Sequence, residues 1–574
     1  MNTKVKKFFY LTNLTNINFK LKYILLVLIN FINVVLEFIG LASIVPFIGF
    51  LTKSSKDIFG LNSLIEKINI ILNIGEIQIY ILIILSIFLL RNLFGIFSVY
   101  LYTRYVHEFT VNLSNFYFKN RILIPFLAFT NKGSNVFIRN LRDVISNFRA
   151  FLLSSIMFFS ELLILISILS LFLYLNFLPT ILVLSILILI LFFLIPFIKR
   201  KIVNWSLLRN SSAASINKVL LNSFNNIREI KVFNKEKFIS KYFSKFNYNF
   251  SDVLRKYDFS VIVLRNYVEI AVIIIIIFSS LFFFNENNYG QMTTILGFYI
   301  VAFARVYPSI NRFISYYLGI KNNQVAVDTL YEEFQFINTF SKNTLQQNES
   351  YNFDKSINVK IDYHQFLNSK KKILENINFD IKQNTLFGIN GPNGTGKTTL
   401  SNFILGLIKP TSGKILLDDK YNIKQFENEY RKILSFVPQN TFLFEGSIYD
   451  NIVFGETYDD KEKLKNEKKV EQIINSSKIF QFINNLDKKM HTEIKENATN
   501  LSGGQKQCVS IARALYYNPK ILILDEPTNS LDKDIKLEFF DLISSLKNNI
   551  TIIAITHDQS LLEICDDKIN LANK

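Results

Sequence analysis

Gly391-Pro-Asn-Gly-Thr-Gly-Lys-Thr398 fits the pattern G-x-x-x-x-G-K-[ST], and it is followed by Leu501-Ser-Gly-Gly-Gln505 and Ile521-Leu-Ile-Leu-Asp525-Glu526. A glycine-rich turn of this kind wraps nucleotide phosphates at a helix N-terminus. The stretch Gly391, Pro392, Asn393, Gly394, Thr395, Gly396, Lys397, Thr398 and Thr399 is therefore the candidate phosphate cradle. Lys397 reaches the terminal phosphates of ATP, and the Thr398 hydroxyl is a candidate Mg²⁺ ligand. Alone the pattern is weakly specific, so the order of the surrounding motifs carries the case.

Working outward, apolar β-rich runs at 385–389, 521–524 and 550–555 alternate with helical segments. This alternation predicts a parallel α/β sheet with phosphates bound at its strand ends. Asp525 offers a carboxylate to Mg²⁺, and Glu526 beside it is placed to polarise an attacking water, because phosphoryl transfer is mostly positioning and charge stabilisation.

The rest of the chain has a different character. Of its 574 residues half are hydrophobic, 57 are Phe, and the formal net charge is +18. Residues 1–340 hold 33 Lys and Arg against 16 Asp and Glu, whereas 341–574 hold 31 against 30. That split predicts two domains, 1–340 in a membrane with an anionic cytoplasmic face and 341–574 soluble. Nucleic-acid binding is disfavoured, because the basic residues fall between apolar spans instead of forming one stripe. Only two cysteines occur, Cys508 and Cys565, so no disulfide framework is implied. The polar, basic first twenty residues lack the short apolar core of a removable signal.

Six stretches are long and apolar enough to cross as helices: Tyr23–Leu51, Ile77–Tyr102, Phe151–Leu175, Leu178–Phe197, Val261–Phe284 and Met292–Phe313. Basic residues concentrate before the first, between the second and third, and between the fourth and fifth. Both termini are therefore expected in the cytoplasm. The two long basic connections read as helical extensions into the cytosol, and Ile227-Arg-Glu-Ile-Lys-Val-Phe233 with Lys235-Glu-Lys237 has the alternation of a helix that docks on protein. Residues 61–72 have helical apolar spacing but are too short to span. They either lie flat at the outer surface or cap the bundle.

Ionisable residues within the spans include Glu37, Arg91, Glu161, Arg265, Glu269 and Arg305. One reading is ion pairing that sets helix packing, with Arg265 and Glu269 four apart on one face. The other is a cavity whose arginines attract an anionic head group; Arg305 leads, with Arg91 and Arg265 as further substrate candidates.

The motif set resembles the nucleotide-binding domain of ABC transporters. Its elements stand in the family's order: the phosphate loop 391–398, Gln439 in Phe436-Val-Pro-Gln-Asn440, the signature at 501–505, Asp525–Glu526, Ser530-Leu-Asp532, and His557 after the last strand. The resemblance assigns His557 to the γ-phosphate and the water, and Gln439 to sensing Mg²⁺ as a ligand. It sets Ser502, Gly503, Gly504 and Gln505 against ATP held by a second subunit. It places an adenine-stacking aromatic at Phe366, with Tyr363 as runner-up. Cys508 departs from the arginine commonly found there, and the expected consequence is a change in packing or rate.

The whole chain resembles type I ABC exporters: an all-α six-helix transmembrane domain with cytoplasmic helical extensions, followed by an α/β P-loop nucleotide-binding domain. One motif set and six spans make half a transporter, so a homodimer is the simplest completion. Within the family the chain is similar to the PglK-type flippases of polyisoprenoid-pyrophosphate-linked oligosaccharides. That similarity rests on Leu36-Glu37-Phe38 with Val45-Pro-Phe-Ile48, on Arg91, on Arg265 with Glu269, on Ala304-Arg-Val-Tyr-Pro-Ser309 with Asn311-Arg312, and on the run from Asn500 to Leu515. It implies a bacterial inner-membrane protein that contacts membrane lipids and flips an anionic lipid-linked substrate with ATP and Mg²⁺. A multidrug or lipid exporter is the alternative, and a peptide exporter a weaker one.

Overall fold

The computed structural model describes residues 3–13, 19–44, 47, 75–175, 201, 204–205, 207–209, 211–282, 289–341, 353–366, 372–455 and 460–571. They fall into two compact units, with the division between Asn343 and Thr344.

The first unit is helical. Its long members are Phe19–Ala42, Glu76–Ile122, Ile145–Leu175, Glu236–Phe282 and Tyr289–Ser341. Ile24–Ala42, Glu76–Ile122 and Ser134–Leu171 contain stretches long and apolar enough to cross a membrane. The fourth predicted span and the 61–72 segment lie outside the described residues. Large apolar side chains face outward along the second span, with Leu90, Leu93 and Ile96 each more than 60% exposed. In water that surface would be a liability; in hydrocarbon it is solvated, and helices satisfy their own backbone groups there.

The helices run past the apolar stretches without a break. Their polar ends share one core: Tyr105, Phe109, Leu113 and Tyr117 from one helix meet Phe148 and Leu152 from the next and Leu330, Phe334 and Ile337 from the last. Spacings of three and four residues keep each set on one helix face. The 227–237 segment differs from expectation. It is a short helix, Ile227–Val232, separated from Glu236–Phe282 by a turn in which Asn234 has φ 53°. Asn tolerates this left-handed conformation and ends the first helix there.

A buried polar cluster sits beside this core. Glu333 lies 3.0 Å from Lys132 Nζ and 3.8 Å from Arg121 Nη1, and it accepts a 3.5 Å hydrogen bond from the Tyr117 hydroxyl. Arg121 is 1% exposed, its guanidinium carbon is 3.8 Å from the centre of the Phe137 ring, and none of its three nitrogens completes a hydrogen bond. A π-helical turn, Asn140–Val144, begins at Asn140, which donates to the Tyr117 hydroxyl at 3.2 Å.

The second unit is α/β. In chain order its strands are β1 (Ser356–Gln365), β2 (Lys372–Lys382), β3 (Leu386–Asn390), β4 (Ser412–Leu417), β5 (Tyr421–Asn422), β6 (Leu434–Val437), β7 (Gly446–Ser447), β8 (Glu493–Ile494), β9 (Ile521–Asp525), β10 (Thr551–Ile555) and β11 (Asp567–Asn570). A five-stranded parallel sheet runs β11-β3-β10-β9-β6. It is buried on both faces: Leu522 and Leu524 point into one core with Val509 and Ile511, and Ile521 and Ile523 into the other with Leu400 and Phe403. A second sheet, β2-β1-β4-β5, is antiparallel. Its strand β1 buries alternate residues, as a strand covered on one face does.

Candidate active site

All five strands of the main sheet run the same way, so the segments that leave β3, β10, β9 and β6 emerge along one edge. These segments are the phosphate loop, the His557 loop, Asp525–Glu526 and the Gln439 loop. Residues more than a hundred positions apart are brought together by strand order alone.

The phosphate loop follows β3 and opens the helix Lys397–Ile404. Gly394 and Gly396 have φ of 86° and 96°, a region that costs other residues dearly. A Cβ on Gly396 would also stand 2.8 Å from Leu374 Cδ2, so β2 closes the loop from beneath. Lys397 Nζ donates to the Gly391 carbonyl, and the Gly391 amide donates to Asn390 Oδ1 at 2.7 Å. The lysine therefore folds back over the loop it serves.

Glu526 leaves β9 with φ 49°, a conformation that costs of order 1–3 kcal/mol and persists where the surroundings impose it. Its amide donates to the Ile555 carbonyl at 2.8 Å, anchoring the turn to β10. Its side chain is 8% exposed, and His557 Nδ1 lies 2.9 Å from Oε1 and 2.8 Å from Oε2. Oε2 completes no hydrogen bond of good geometry, which leaves an acceptor open at the site. Burial, and then the neighbouring Glu526 charge, push the Asp525 carboxyl above the ordinary range, while Lys397 pulls it back. Two crowded carboxylates call for a cation. Among the described residues no group of three or more His, Cys, Asp or Glu could hold a metal.

One tie escaped the sequence. Thr528 Oγ1 donates to Asp558 Oδ2 at 2.8 Å, and Lys536 Nζ is 2.6 Å from the same oxygen. Thr528 lies two residues after Glu526 and Asp558 directly after His557, so this bracket fixes the spacing of the two groups. Thirty residues separate its halves, and no local pattern announces it.

The signature is a helix N-terminus. Ser502 caps Gly503–Tyr516: its hydroxyl accepts from the Gln505 amide at 3.2 Å, and the Gln505 side chain accepts from the Ser502 amide at 2.9 Å. Gln505 thus has a structural duty within its own subunit. A Cβ on Gly504 would stand 2.9 Å from the Ser530 carbonyl oxygen, so the signature packs directly on Ser530-Leu531-Asp532. Gly504→Ala is expected to cost about 1–3 kcal/mol in overpacking. It should lower ATPase turnover by about tenfold or more, which a phosphate-release assay reads.

Arg513, further along that helix, donates to the carbonyls of Asn451 and Phe442 at 2.7 and 3.0 Å and to Asn451 Oδ1 at 3.1 Å. It thereby ties the signature helix to the segment after Gln439. Cys508 is fully buried among apolar side chains, and burial pushes its thiol up to about 12.

Gln439 is exposed on its loop. Phe366, at the end of β1, is 37% exposed, with its ring edge-on to His364 at 4.9 Å. Tyr363, the runner-up, carries Lys372 Nζ 5.1 Å from its ring centre.

In the helical unit, Arg91 pairs with Glu37 at 2.5 Å. Arg265 and Glu269 both engage the Tyr307 hydroxyl, which donates to Glu269 at 2.6 Å. Glu161 pairs with Arg312 at 2.5 Å. The Arg305 side chain lies outside the described residues.

Residues 374–529 match the family model described as ABC transporter. The multidrug resistance-like ATP-binding protein MdlA of Buchnera aphidicola subsp. Baizongia pistaciae is 32% identical over 366 residues, which is 60% of this chain and 59% of that protein. An ATP-dependent lipid A-core flippase of Francisella novicida is 26% identical over 381 residues, 65% of this chain and 62% of that protein. The chain thus spans between 59% and 62% of the length of these curated relatives. A bacterial Atm1-family ABC exporter with ATP bound has the same fold, with TM-score 0.74 at 18% identity over 97% of this chain and 94% of that one. The chain therefore carries an ATPase domain of the ABC transporter family and has the fold of an ABC exporter.

Proposed function

We propose that this protein is half of an ATP-driven exporter, acting as a homodimer that flips a polyisoprenoid-pyrophosphate-linked oligosaccharide across the bacterial inner membrane. The observation that carries the reading is the buried Glu526 within hydrogen-bond reach of His557, on the sheet edge that also holds the phosphate loop, in a chain with outward-facing apolar helices.

The phosphate-loop amides and Lys397 bind the β- and γ-phosphates, and Phe366 takes the adenine. Thr398, Asp525 and Gln439 are the residues that would hold Mg²⁺, which when bound neutralises phosphate charge. Glu526 orients the attacking water and accepts its proton, and His557 holds that carboxylate in place while reaching the γ-phosphate. Ser502, with the free amides of its helix N-terminus, faces the nucleotide of the second subunit. The soluble unit does the chemistry and the helical unit moves the substrate.

Support for a lipid-borne substrate comes from a relative whose name is a lipid A-core flippase, and the candidate cation for its phosphates is Arg305, since Arg91 and Arg312 are paired with Glu37 and Glu161. A pyrophosphate needs positive charge to cross hydrocarbon. Arg305→Ala is expected to abolish flipping of a fluorescent lipid-linked oligosaccharide in liposomes while ATP hydrolysis continues; unchanged flipping would remove this residue from the path. The relative with a multidrug-like name favours a second reading, a drug or lipid exporter. Hydrolysis stimulated by lipophilic drugs and indifferent to lipid-linked glycan would select it.

A further inference from the structure

The helical unit holds an open-mouthed cavity of about 280 Å³, lined by residues of Phe19–Ala42, Glu76–Ile122, Ile145–Leu175 and Tyr289–Ser341. Four of its lining residues are charged, and they are paired: Arg91 with Glu37 and Arg312 with Glu161, each at 2.5 Å. Arg312 also donates to Ser309 Oγ at 3.1 Å. The cavity is thus polar and carries no net charge.

That balance decides what fits. An anion entering here would have to displace a carboxylate already seated on its guanidinium, and would then sit beside two negative groups in a low dielectric. A lipophilic molecule would strip water from the amides of Asn30, Asn33 and Asn92 and give nothing back. A neutral polyol meets neither cost. Each amide offers a donor and an acceptor, as vicinal hydroxyls require, and the carboxylate oxygens and guanidinium edges extend the same alternation. Tyr102 and Tyr316 line the same space, aromatic side chains of the kind that pack against the C–H side of a pyranose. The volume lies near the lower end of the range for ligand pockets, suited to a single ring with its bridging waters.

We propose that this cavity is a subsite for one uncharged sugar ring of the transported head group, separate from whatever binds its phosphates. This rests on the reading of the substrate as a lipid-linked glycan.

The test uses full-length protein in liposomes and follows ATPase stimulation by three lipids: polyisoprenyl pyrophosphate carrying an oligosaccharide, the same lipid without sugar, and the neutral glycolipid diglucosyl diacylglycerol. In Asn33→Leu/Asn92→Leu the half-maximal concentration of both sugar-bearing lipids should rise about tenfold or more, while that of the bare lipid keeps its wild-type value. Asn92→Ser, smaller and still polar, keeps the test open should the double variant not fold, with a lesser shift in the same direction. Equal shifts for bare and sugar-bearing lipids, no shift, or a wild type that ignores the neutral glycolipid would each overturn the subsite. A wild type that answers the neutral glycolipid with the expected shift, but ignores both pyrophosphate lipids, would leave the subsite standing and remove the pyrophosphate-linked substrate.

Discussion

Glu526→Gln is expected to lower steady-state ATP hydrolysis by about a thousandfold while ATP still binds. The substitution preserves the size of the side chain and an acceptor for His557 Nδ1, which lies 2.9 Å from Oε1. It also preserves the backbone hydrogen bond that anchors the turn, from the Glu526 N–H to the Ile555 carbonyl, which does not involve the carboxylate. What it removes is the ability to take up a proton from the attacking water. Phosphate release by the purified variant measures the loss, and retention of a fluorescent ATP analogue at wild-type affinity shows that the cradle is intact. Turnover within tenfold of wild type would mean that Glu526 is not the base and that the open oxygen at the site serves another purpose.

The second large effect is on stability. Glu333→Ala is expected to destabilise the helical unit by about 3–5 kcal/mol, the usual cost of leaving a buried cation without its partner. Arg121 is the reason. It is 1% exposed, rests on the Phe137 ring, and has the Glu333 carboxylate 3.8 Å from its Nη1 as counter-charge. Lys132 loses a 3.0 Å contact in the same step, but it is a third exposed and can turn to water. The thermal midpoint of the helical unit in detergent should fall by roughly 5–10 °C. Replacing the pair together, as Arg121→Met/Glu333→Leu, should recover most of the loss, since the desolvation cost disappears with the charges. A midpoint that Glu333→Ala leaves unchanged would show that Arg121 finds compensation elsewhere.

Legibility in the sequence followed locality. The phosphate loop, the signature and the Asp525–Glu526 pair were readable because each chemistry is carried by residues within one turn of chain. The parallel sheet was readable because strands buried on both faces leave unbroken apolar runs, as in Ile521–Leu524. The antiparallel sheet is a different case: Ile357, Val359 and Ile361 alternate with Asn358, Lys360 and Asp362 and mark β1 locally, but its pairing with β4 across a long stretch of chain is decided only in space. The Asn234 break was missed for a different reason: charge alternation over 227–237 looks the same in one helix as in two, and a single Asn is a faint stop signal.

The amphipathic and apolar spacing of the chain settled by itself that there is a helical part rich in lipid-suited surface and an α/β part with a nucleotide cradle, since periodicity and local turn chemistry act over a few residues. Tertiary structure alone decided which charges meet. That Arg91 answers Glu37, that Arg312 answers Glu161, and that Thr528 and Asp558 tie the Glu526 and His557 loops together depends on helices and strands packed side by side. Electrostatic pairing falls off with distance in space and has no memory of distance along the chain.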